Sequence, residues 1–322
     1  MSRLSTLAIA AALLGGASAL AQAPAPSTQP APQAEAPRPV PPRTFRSPED
    51  GFAALVAALR AGGGQRLEPI VGTVGMSPFR DPDPVAARTA RERFLAAQAE
   101  KAEIVRPAPD RAVLQVGEDA WPMPVPMIRR GNGWRFDVAA ARQEILDRRI
   151  GRNELGAIET LRAIADAQDE YARTAGRQGA FRTYARRFFS TPGQRDGLYW
   201  ATAPGERPSP LGPFAAAASA GGYAAPRPGD APQPYHGYLF RILERQGPAA
   251  PGGAFDYIVN SRMIGGFAVI ATPYRHGTTG IMTFMISHHG DVWQANLGPD
   301  SARIAAGMTA FDPGEGWEKV EE

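Results

Sequence analysis

The residues best suited to binding or catalysis lie in a loop-rich stretch of the sequence, from residue 191 to residue 238. This stretch combines ionisable side chains with aromatic rings: Asp196, Tyr199, Trp200, Tyr235, His236 and Tyr238. Aromatic planes beside polar groups suit sugar rings or peptides, and a histidine beside a carboxylate serves as a general acid or base. We therefore predict that the four aromatic residues bind a ligand, with Asp196 and His236 as candidate catalytic residues. The alternative is that aromatic residues at strand spacing, such as Tyr238 and Phe240, belong to the core.

A second candidate binding site is a cluster of arginines near the start of a predicted helix, formed by Arg148, Arg149 and Arg152. The planar guanidinium group of arginine fits carboxylate and phosphate groups, and the N-terminus of a helix attracts anions. The alternative, which we favour, is structural. In that interpretation the arginines clamp two domains together through hydrogen bonds to backbone carbonyls or to Glu154.

The remaining ionisable residues do not predict a metal site. The chain has four histidines, and two of them, His288 and His289, are adjacent. Adjacent residues of a regular strand point to opposite faces, which does not suit a shared zinc ion. Asp166, Asp169 and Glu170 share one helix face by their spacing, but nearby arginines favour a solvated, ion-paired surface over a calcium site. We therefore predict neither a bound metal nor a cofactor.

Familiar catalytic motifs are missing from the sequence. It has no phosphate loop ending in Gly-Lys-Ser/Thr, no G-x-G-x-x-G, no H-E-x-x-H and no G-x-S-x-G. The chain also has no cysteine, which excludes disulfides, thiolate metal sites and a cysteine nucleophile. These absences rank a non-catalytic protein above an enzyme.

The composition does not favour nucleic-acid binding. The 35 Lys and Arg residues nearly balance the 32 Asp and Glu residues, so the formal net charge is only +3. Basic and acidic residues are interspersed, without a basic block that would follow a phosphate backbone. With 322 residues, 43% of them hydrophobic, the chain is long enough to form about two domains that need no disulfides.

The N-terminus has the pattern of an exported protein. Arg3 precedes a weakly polar to apolar run from Leu4 to Leu14, and small residues then lead to Ala19-Leu20-Ala21. This run is shorter than the roughly 20 residues that a membrane-spanning helix needs. We predict a signal peptide at residues 1–21, no transmembrane span after its cleavage, and a periplasmic or secreted location. Residues 22–43 contain eight prolines and are predicted to form a disordered linker.

The rest of the chain is predicted to be α+β, in an N-terminal domain (44–147) and a C-terminal domain (148–322). In the first, Ser47 caps one helix and Asp83-Pro84 opens a second. Strands follow at 112–116 and at 124–129, where prolines suggest a sheet edge, and Gly131-Asn132-Gly133 forms a hairpin turn. Helices followed by a curved antiparallel sheet resemble the cone-shaped domains of the nuclear-transport-factor-2-like type.

The second domain is predicted to pack a long helix, from Ile150 to Ala175, on an antiparallel meander. Residues 179–189 are predicted to continue as helix, and residues 191–234 to be a loop-rich region. The strands of the meander are predicted at 235–243, 255–259, 266–272, 280–287 and 292–294. His288-His289-Gly290-Asp291 joins the last two as a turn. This order resembles the globular head of pilin-like proteins.

Several segments together resemble one bacterial family of secreted proteins, domain of unknown function 2950. The segments that carry the resemblance are FRSPEDGFAALVAALRAG (Phe45 to Gly62), VGEDAWPMPVPM (Val116 to Met127), RRIGRNEL (Arg148 to Leu155), AQDEYA (Ala167 to Ala172), DGLYW (Asp196 to Trp200), PYHGYLFRIL (Pro234 to Leu243) and QGPAAPGGAFDYIVNSRMIGGFAVIATP (Gln246 to Pro273). They cover nearly the whole chain after the predicted signal peptide. The resemblance implies a secreted or periplasmic protein and carries no catalytic residues over to this sequence.

Two functions lead as hypotheses; a third, a pilin-like subunit of a secretion apparatus, is weakened because the predicted signal peptide precedes a spacer instead of a continuous apolar assembly helix. The first is a non-catalytic envelope protein that binds a protein partner or an envelope polymer through residues 191–238. The second is a hydrolase or lyase acting on envelope polymers, with Asp196 and His236 as its acid–base pair. The second hypothesis requires these two side chains to lie close together.

Overall fold

The structure, a computed structural model, describes residues 39–224 and 233–321. The predicted signal peptide and most of the predicted linker lie outside these residues. The end of that linker, residues 39–43, lies along the folded body, where the amide of Arg43 donates to Ile70 O and Val40 O accepts from the amide of Thr73. Within the described ranges, no helix has the length and apolar character needed to cross a membrane.

The first half of the described chain packs helices on an antiparallel sheet. Its elements are α1 (Pro48–Arg60), α2 (Glu68–Val71), α3 (Pro84–Glu100), β1 (Ala102–Ala108), β2 (Arg111–Val116), β3 (Trp121–Pro122), β4 (Met127–Arg130) and β5 (Gly133–Phe136). The strand order is β1-β2-β4-β5, and β3 pairs with β2. The predicted cap of α1 is confirmed, because Ser47 Oγ accepts a hydrogen bond of 3.1 Å from the amide of Asp50.

The strand predicted at residues 124–129 is not an edge strand, so this prediction is wrong. The strand observed there, β4, begins at Met127 and pairs with both β2 and β5. Pro124 and Pro126 precede the strand, so they do not interrupt its hydrogen-bond ladder. The predicted turn after Arg130 is confirmed, because Arg130 pairs with Gly133 across it.

One long helix, α4 (Val138–Arg173), joins the two halves. It begins well before the predicted start at Ile150, because Asp137 caps it by accepting a hydrogen bond of 3.2 Å from the amide of Ala140. The helix runs through position 147/148, where the sequence predicted a domain boundary. One hydrophobic cluster is built from residues before this position and another from residues after it. The division into two domains stays a prediction.

The second half forms an antiparallel sheet against which α4 packs. Its elements are β6 (Arg177–Gln178), β7 (Phe181–Arg182), α5 (Gly212–Gly221), β8 (Tyr238–Leu243), β9 (Arg245–Gln246), β10 (Phe255–Asp256), β11 (Ile258–Val259), β12 (Arg262–Met263), β13 (Ala268–Pro273), β14 (Thr283–Ser287), β15 (Val292–Ala295), α6 (Ser301–Gly307) and β16 (Glu318–Lys319). The main sheet has the order β16-β15-β14-β13-β8. The predicted histidine turn is confirmed, because it joins β14 to β15. The predicted α+β class is therefore confirmed.

The predicted helix at residues 179–189 is wrong. The short β6–β7 hairpin takes its place, with Gly179 at a φ of +63° in the turn. The chain that follows is held by the buried amide of Gln168. Its Nε2 donates to Ala185 O, and its Oε1 accepts from the amide of Ala185, both at 2.8 Å. This contact between distant residues leaves no local pattern in the sequence.

Candidate ligand-binding cleft

A cleft of about 780 Å³ lies between α3, α4, α5 and the turn before β8. We refer to it as the charged cleft. One wall is a single face of α3, which presents Ala86, Ala90, Arg93, Phe94, Ala97 and Glu100. Residues three or four positions apart share a helix face, and the alanines among them leave open space beside the helix. The facing wall is α4, with Arg152, Leu155, Gly156 and Glu159.

Asp83 holds the walls of the charged cleft together, and it is only 1% exposed. Its Oδ1 accepts hydrogen bonds from the amides of Val85 and Ala86, at 3.1 and 2.9 Å, which caps α3. Its Oδ2 accepts from the hydroxyl of Tyr223 at 2.9 Å and from the amide of Gly237 at 3.2 Å. One carboxylate therefore fixes the start of α3, the residue just past α5 and the turn before β8.

His236 lies in that turn and lines the cleft. Its backbone φ is +48°, in the left-handed region that non-glycine residues seldom adopt and that is enriched at functional sites. The imidazole packs edge-on against Tyr235, with 4.3 Å between ring centroids. It also lies against Gly156 of α4, where a Cβ would come within 3.1 Å of the imidazole Cγ. A glycine at this position therefore makes room for the imidazole.

The surroundings of His236 favour the neutral imidazole. Burial is the largest cause and lowers the pKa of His236, while Asp83 and Glu159 oppose this shift and Arg93 adds to it. The charged form loses hydration on burial, and the two nearby carboxylates do not compensate for that loss. His236 therefore presents a neutral ring to the cleft at neutral pH.

Two guanidinium groups face this cleft without a counter-ion among the residues that the structure describes. Arg93 on α3 and Arg152 on α4 both line it, and within the described part of the chain neither forms an ion pair. Burial is the largest cause that lowers the pKa of Arg152. Arg149, Arg93 and Arg148 act in the same direction, and Asp81 opposes them. Both residues are exposed, and two guanidinium groups that repel one another across a cleft are well placed to bind a carboxylate or phosphate.

The cleft also carries acidic and apolar groups. Glu100, Glu118 and Asp119 lie at the end of α3 and in the turn after β2. Trp121 and Leu155 line the same cleft and are 42% and 65% exposed. A ligand in this cleft would therefore meet cationic, anionic and apolar groups at once.

The three arginines predicted from the sequence have different roles in the structure. Arg149 is 5% exposed, donates a hydrogen bond of 2.7 Å to Pro78 O and pairs with Asp81 at 2.9 Å. The hydrogen bond to a backbone carbonyl is of the kind that the structural interpretation expects. The ion pair with Asp81 is not, and Glu154 accepts instead from the amides of Ile281 and Met282. Arg148 pairs with Glu144 and lies over the ring of Trp121, 4.3 Å from its centroid. Arg152 is the member of the cluster that lines the charged cleft.

The structure does not bring Asp196 and His236 together. The carboxylate of Asp196 accepts hydrogen bonds from the amide and the hydroxyl of Thr191, at 2.8 and 2.9 Å, and lies 3.4 Å from Arg187. These contacts close a local turn. The carboxylates that act on His236 belong instead to Asp83 and Glu159.

The four predicted aromatic residues separate into two pairs. Tyr238 is fully buried and donates a hydrogen bond to Met282 O, so its ring offers no surface to a ligand. Trp200 is partly buried against the same core. Tyr199 and Tyr235 line an apolar pocket beside α5, and Tyr235 also borders the charged cleft.

Sequence reasoning missed three residues that shape the charged cleft. From the sequence, Asp83 is predicted only to start a helix, which is one of its two roles. Arg93 and Tyr223 carried no local signal, because their position in the cleft depends on α3 and α5 meeting α4. The sequence features that led to this region are Arg152, Tyr235 and His236 among the predicted site residues, together with the helix start at Asp83-Pro84.

The fold is α+β, and its charged cleft is lined by cationic, anionic and apolar groups. The chain belongs to the family described as protein of unknown function (DUF2950), whose model matches residues 42–320. No curated protein and no solved structure gives a significant match.

The lowered pKa of His236 predicts that acid destabilises the protein. Below pH 6.5, the ordinary pKa of a histidine, His236 binds a proton more readily in the unfolded chain than in the folded chain. The free energy of unfolding should therefore fall as the pH is lowered from about 7 to about 5. His288, whose pKa burial also lowers, adds to the same trend.

Chemical denaturation at several pH values checks this prediction. His236→Asn keeps a residue that tolerates the left-handed backbone but removes the titrating ring, so its stability should depend less on pH than that of the wild type. Equal pH dependence in the two proteins would contradict the role assigned to His236.

Proposed function

We propose that this protein is a non-catalytic periplasmic or secreted binding module, and that its charged cleft holds an extended peptide segment of a partner. The observation that carries the proposal is the pair Arg93 and Arg152, which face one cleft from two helices without an ion partner in the described chain. A carboxylate of the ligand supplies that partner.

The charges around the two arginines support a peptide over a polyanion. The described lining also contains four carboxylates: Glu100, Glu118, Asp119 and Glu159. They outnumber the arginines and would repel a uniformly anionic polymer. A peptide segment carries acidic, basic and apolar side chains together, so it matches the arginines, the carboxylates and the exposed Trp121 and Leu155.

The compartment in this proposal comes from the sequence. The pattern of residues 1–21 supports export, and the proline-rich stretch after it supports a spacer ahead of the folded body. The partner is therefore an envelope or extracellular protein.

Binding of an acidic peptide tests the proposal directly. A library of short peptides, each with a C-terminal amide or a free carboxylate, is screened by fluorescence polarisation against the wild-type protein. Arg152→Gln should weaken the best acidic binder by about 10–100-fold, since a hydrogen bond to a charged group contributes about 1.5–3 kcal/mol. Replacing the peptide's carboxylate with an amide should cause a similar loss.

Arg162→Gln is the matched control, because Arg162 lies on the same helix and is exposed outside the cleft lining. This variant should bind the peptide as the wild type does. Equal losses in the two variants, or no saturable binding by any peptide, would contradict the proposal.

The hydrolase or lyase hypothesis now rests on His236, because its neutral ring lines the cleft near Glu159. The described lining contains no serine, and Thr89 is its only aliphatic hydroxyl. Mass spectrometry of the peptides after long incubation separates the two functions. Peptide cleavage by the wild type that His236→Asn abolishes would show that the protein is an enzyme and not a non-catalytic binding module.

A further inference from the structure

A second cavity, of about 400 Å³, lies on the other side of Tyr223 and Tyr235 from the charged cleft. We refer to it as the apolar pocket. It is bordered by α4, α5, β8 and the chain around residues 188–199. Its large side chains are Ile164, Phe188, Tyr199, Phe214, Leu239 and Phe240. This volume is within the range of small-molecule sites, about 300–1,000 Å³.

The described lining of the apolar pocket contains no charged residue. Two of its hydroxyl groups are already hydrogen-bonded: Thr160 donates to Gly156 O at 2.6 Å, and Tyr223 donates to Asp83 at 2.9 Å. A charged group placed here would lose hydration and meet no opposite charge in the described lining. These described walls therefore favour an uncharged ligand.

Aromatic rings give the pocket a firm shape. Phe214 packs on Tyr235 with 5.2 Å between centroids, and Phe189 packs on Tyr199 at 5.8 Å. Rings at these separations stabilise one another beyond the area that they bury. A preformed apolar cavity of this kind binds a ligand without first reorganising its walls.

Once the predicted signal peptide is removed, the segments that the structure does not describe offer no large apolar side chain to fill the pocket. Residues 22–38 and 225–232 contain no aliphatic or aromatic residue larger than proline. A separate molecule is therefore the better occupant.

We propose that the apolar pocket is a binding site for an uncharged apolar small molecule, separate from the peptide site in the charged cleft. The molecule carries an alkyl chain or an aromatic ring system and no ionised group within the pocket.

N-phenyl-1-naphthylamine tests this proposal, because it is uncharged and fluoresces strongly only in an apolar site. The wild-type protein should bind it saturably at one site, with a dissociation constant of about 1–100 µM. Decanol should displace it, whereas decanoate, which has the same chain and an ionised head, should displace it at least about tenfold less effectively.

Ala215→Trp should weaken probe binding at least about tenfold, because Ala215 lines the pocket and an indole there occupies its volume. Ala216→Trp is the matched control: the next residue of α5 is exposed and outside the described lining of both cavities, so its variant should bind the probe normally. If Ala215→Trp fails to fold, Phe214→Ala replaces it and should also weaken binding, because the probe loses an aromatic wall.

Equal binding by the Ala215→Trp and Ala216→Trp variants, or equal displacement by decanol and decanoate, would overturn the proposal. The acidic peptide is titrated into the same variants. Loss of probe binding with normal peptide binding would establish the apolar pocket as a separate site. If the wild type binds no peptide, the probe assay with the same two variants still tests the apolar pocket on its own.

Discussion

Replacing Arg149 with methionine is expected to lower the free energy of unfolding by about 3–5 kcal/mol at neutral pH. The side chains of Arg149 and Asp81 are 6% and 8% exposed, and their ion pair spans 2.9 Å. Methionine fills much of the same volume but leaves the carboxylate of Asp81 buried without its cation. It also removes the donor to Pro78 O. Such uncompensated groups cost more than the intact pair contributes.

The pH dependence of this loss identifies its cause. Burial is the largest cause that raises the pKa of Asp81, and Arg149 opposes the shift. Without the arginine, that pKa should rise further above 3.8. A carboxylate whose pKa is raised on folding lowers the free energy of unfolding. The loss is smallest at pH values below its unfolded pKa and largest at pH values above its folded pKa. The deficit of the variant should therefore shrink as the pH falls from about 7.5 to about 4.5.

Urea denaturation at both pH values measures this effect. Arg148→Met is the matched control, because Arg148 lies beside Arg149 in α4 but its pair with Glu144 is partly exposed. Its loss should stay within about 1 kcal/mol. Asp81→Asn combined with Arg149→Met should recover part of the deficit, because no buried charge remains. A deficit of less than about 1 kcal/mol in Arg149→Met would contradict the clamp.

The sequence predicted the elements whose signals are local. Ser47 followed by Pro48 specified the start of α1, and the glycines around Asn132 specified the turn between β4 and β5. The α+β class followed from these signals together. The start of α4 was missed because the sequence argument relied on apolar spacing from Ile150 onward, whereas the cap at Asp137 places the first turns on the other hydrophobic cluster.

The site was less predictable, because its residues meet only in the folded chain. The sequence predicts Arg152 as a binding residue because of its cluster. In the structure, however, Arg148 pairs with Glu144 and Arg149 is buried against Asp81. His236 was named for a partnership with Asp196, which bonds to Thr191 instead. The carboxylates that do act on His236 lie on the α3 side and in α4. No local spacing rule connects positions so far apart in the chain.

The two proposed sites share a wall that a single carboxylate supports. Tyr223 and Tyr235 border both the charged cleft and the apolar pocket, with 4.6 Å between their ring centroids. Tyr223 is held by Asp83, whose amide in turn donates to Asp81 at 3.0 Å. The buried clamp at Arg149 and the walls of both sites are therefore parts of one network.

Asp83→Ala is accordingly expected to cost about 3–7 kcal/mol of stability. The substitution removes the cap of α3 and leaves the hydroxyl of Tyr223 and the amide of Gly237 without their shared acceptor. A lost cap alone costs about 1 kcal/mol, and each buried donor without an acceptor adds about 1–3 kcal/mol. Thermal and urea denaturation measure the total.

Asp137→Ala provides the matched control, because Asp137 caps α4 through one hydrogen bond and, among the described contacts, joins no second element by its side chain. Its loss of stability should be about 1 kcal/mol.

Asp83→Asn separates the two roles of Asp83. Its amide oxygen still caps α3, but its amide nitrogen cannot accept from Gly237. The stability of this variant should therefore lie between those of the wild type and Asp83→Ala. Because the turn that carries His236 and the wall at Tyr223 both lose their anchor, Asp83→Asn should also weaken the acidic peptide and the naphthylamine probe. A cost for Asp83→Ala no larger than that for Asp137→Ala would mean that Asp83 acts as a helix cap alone and that the shared wall is held by other contacts.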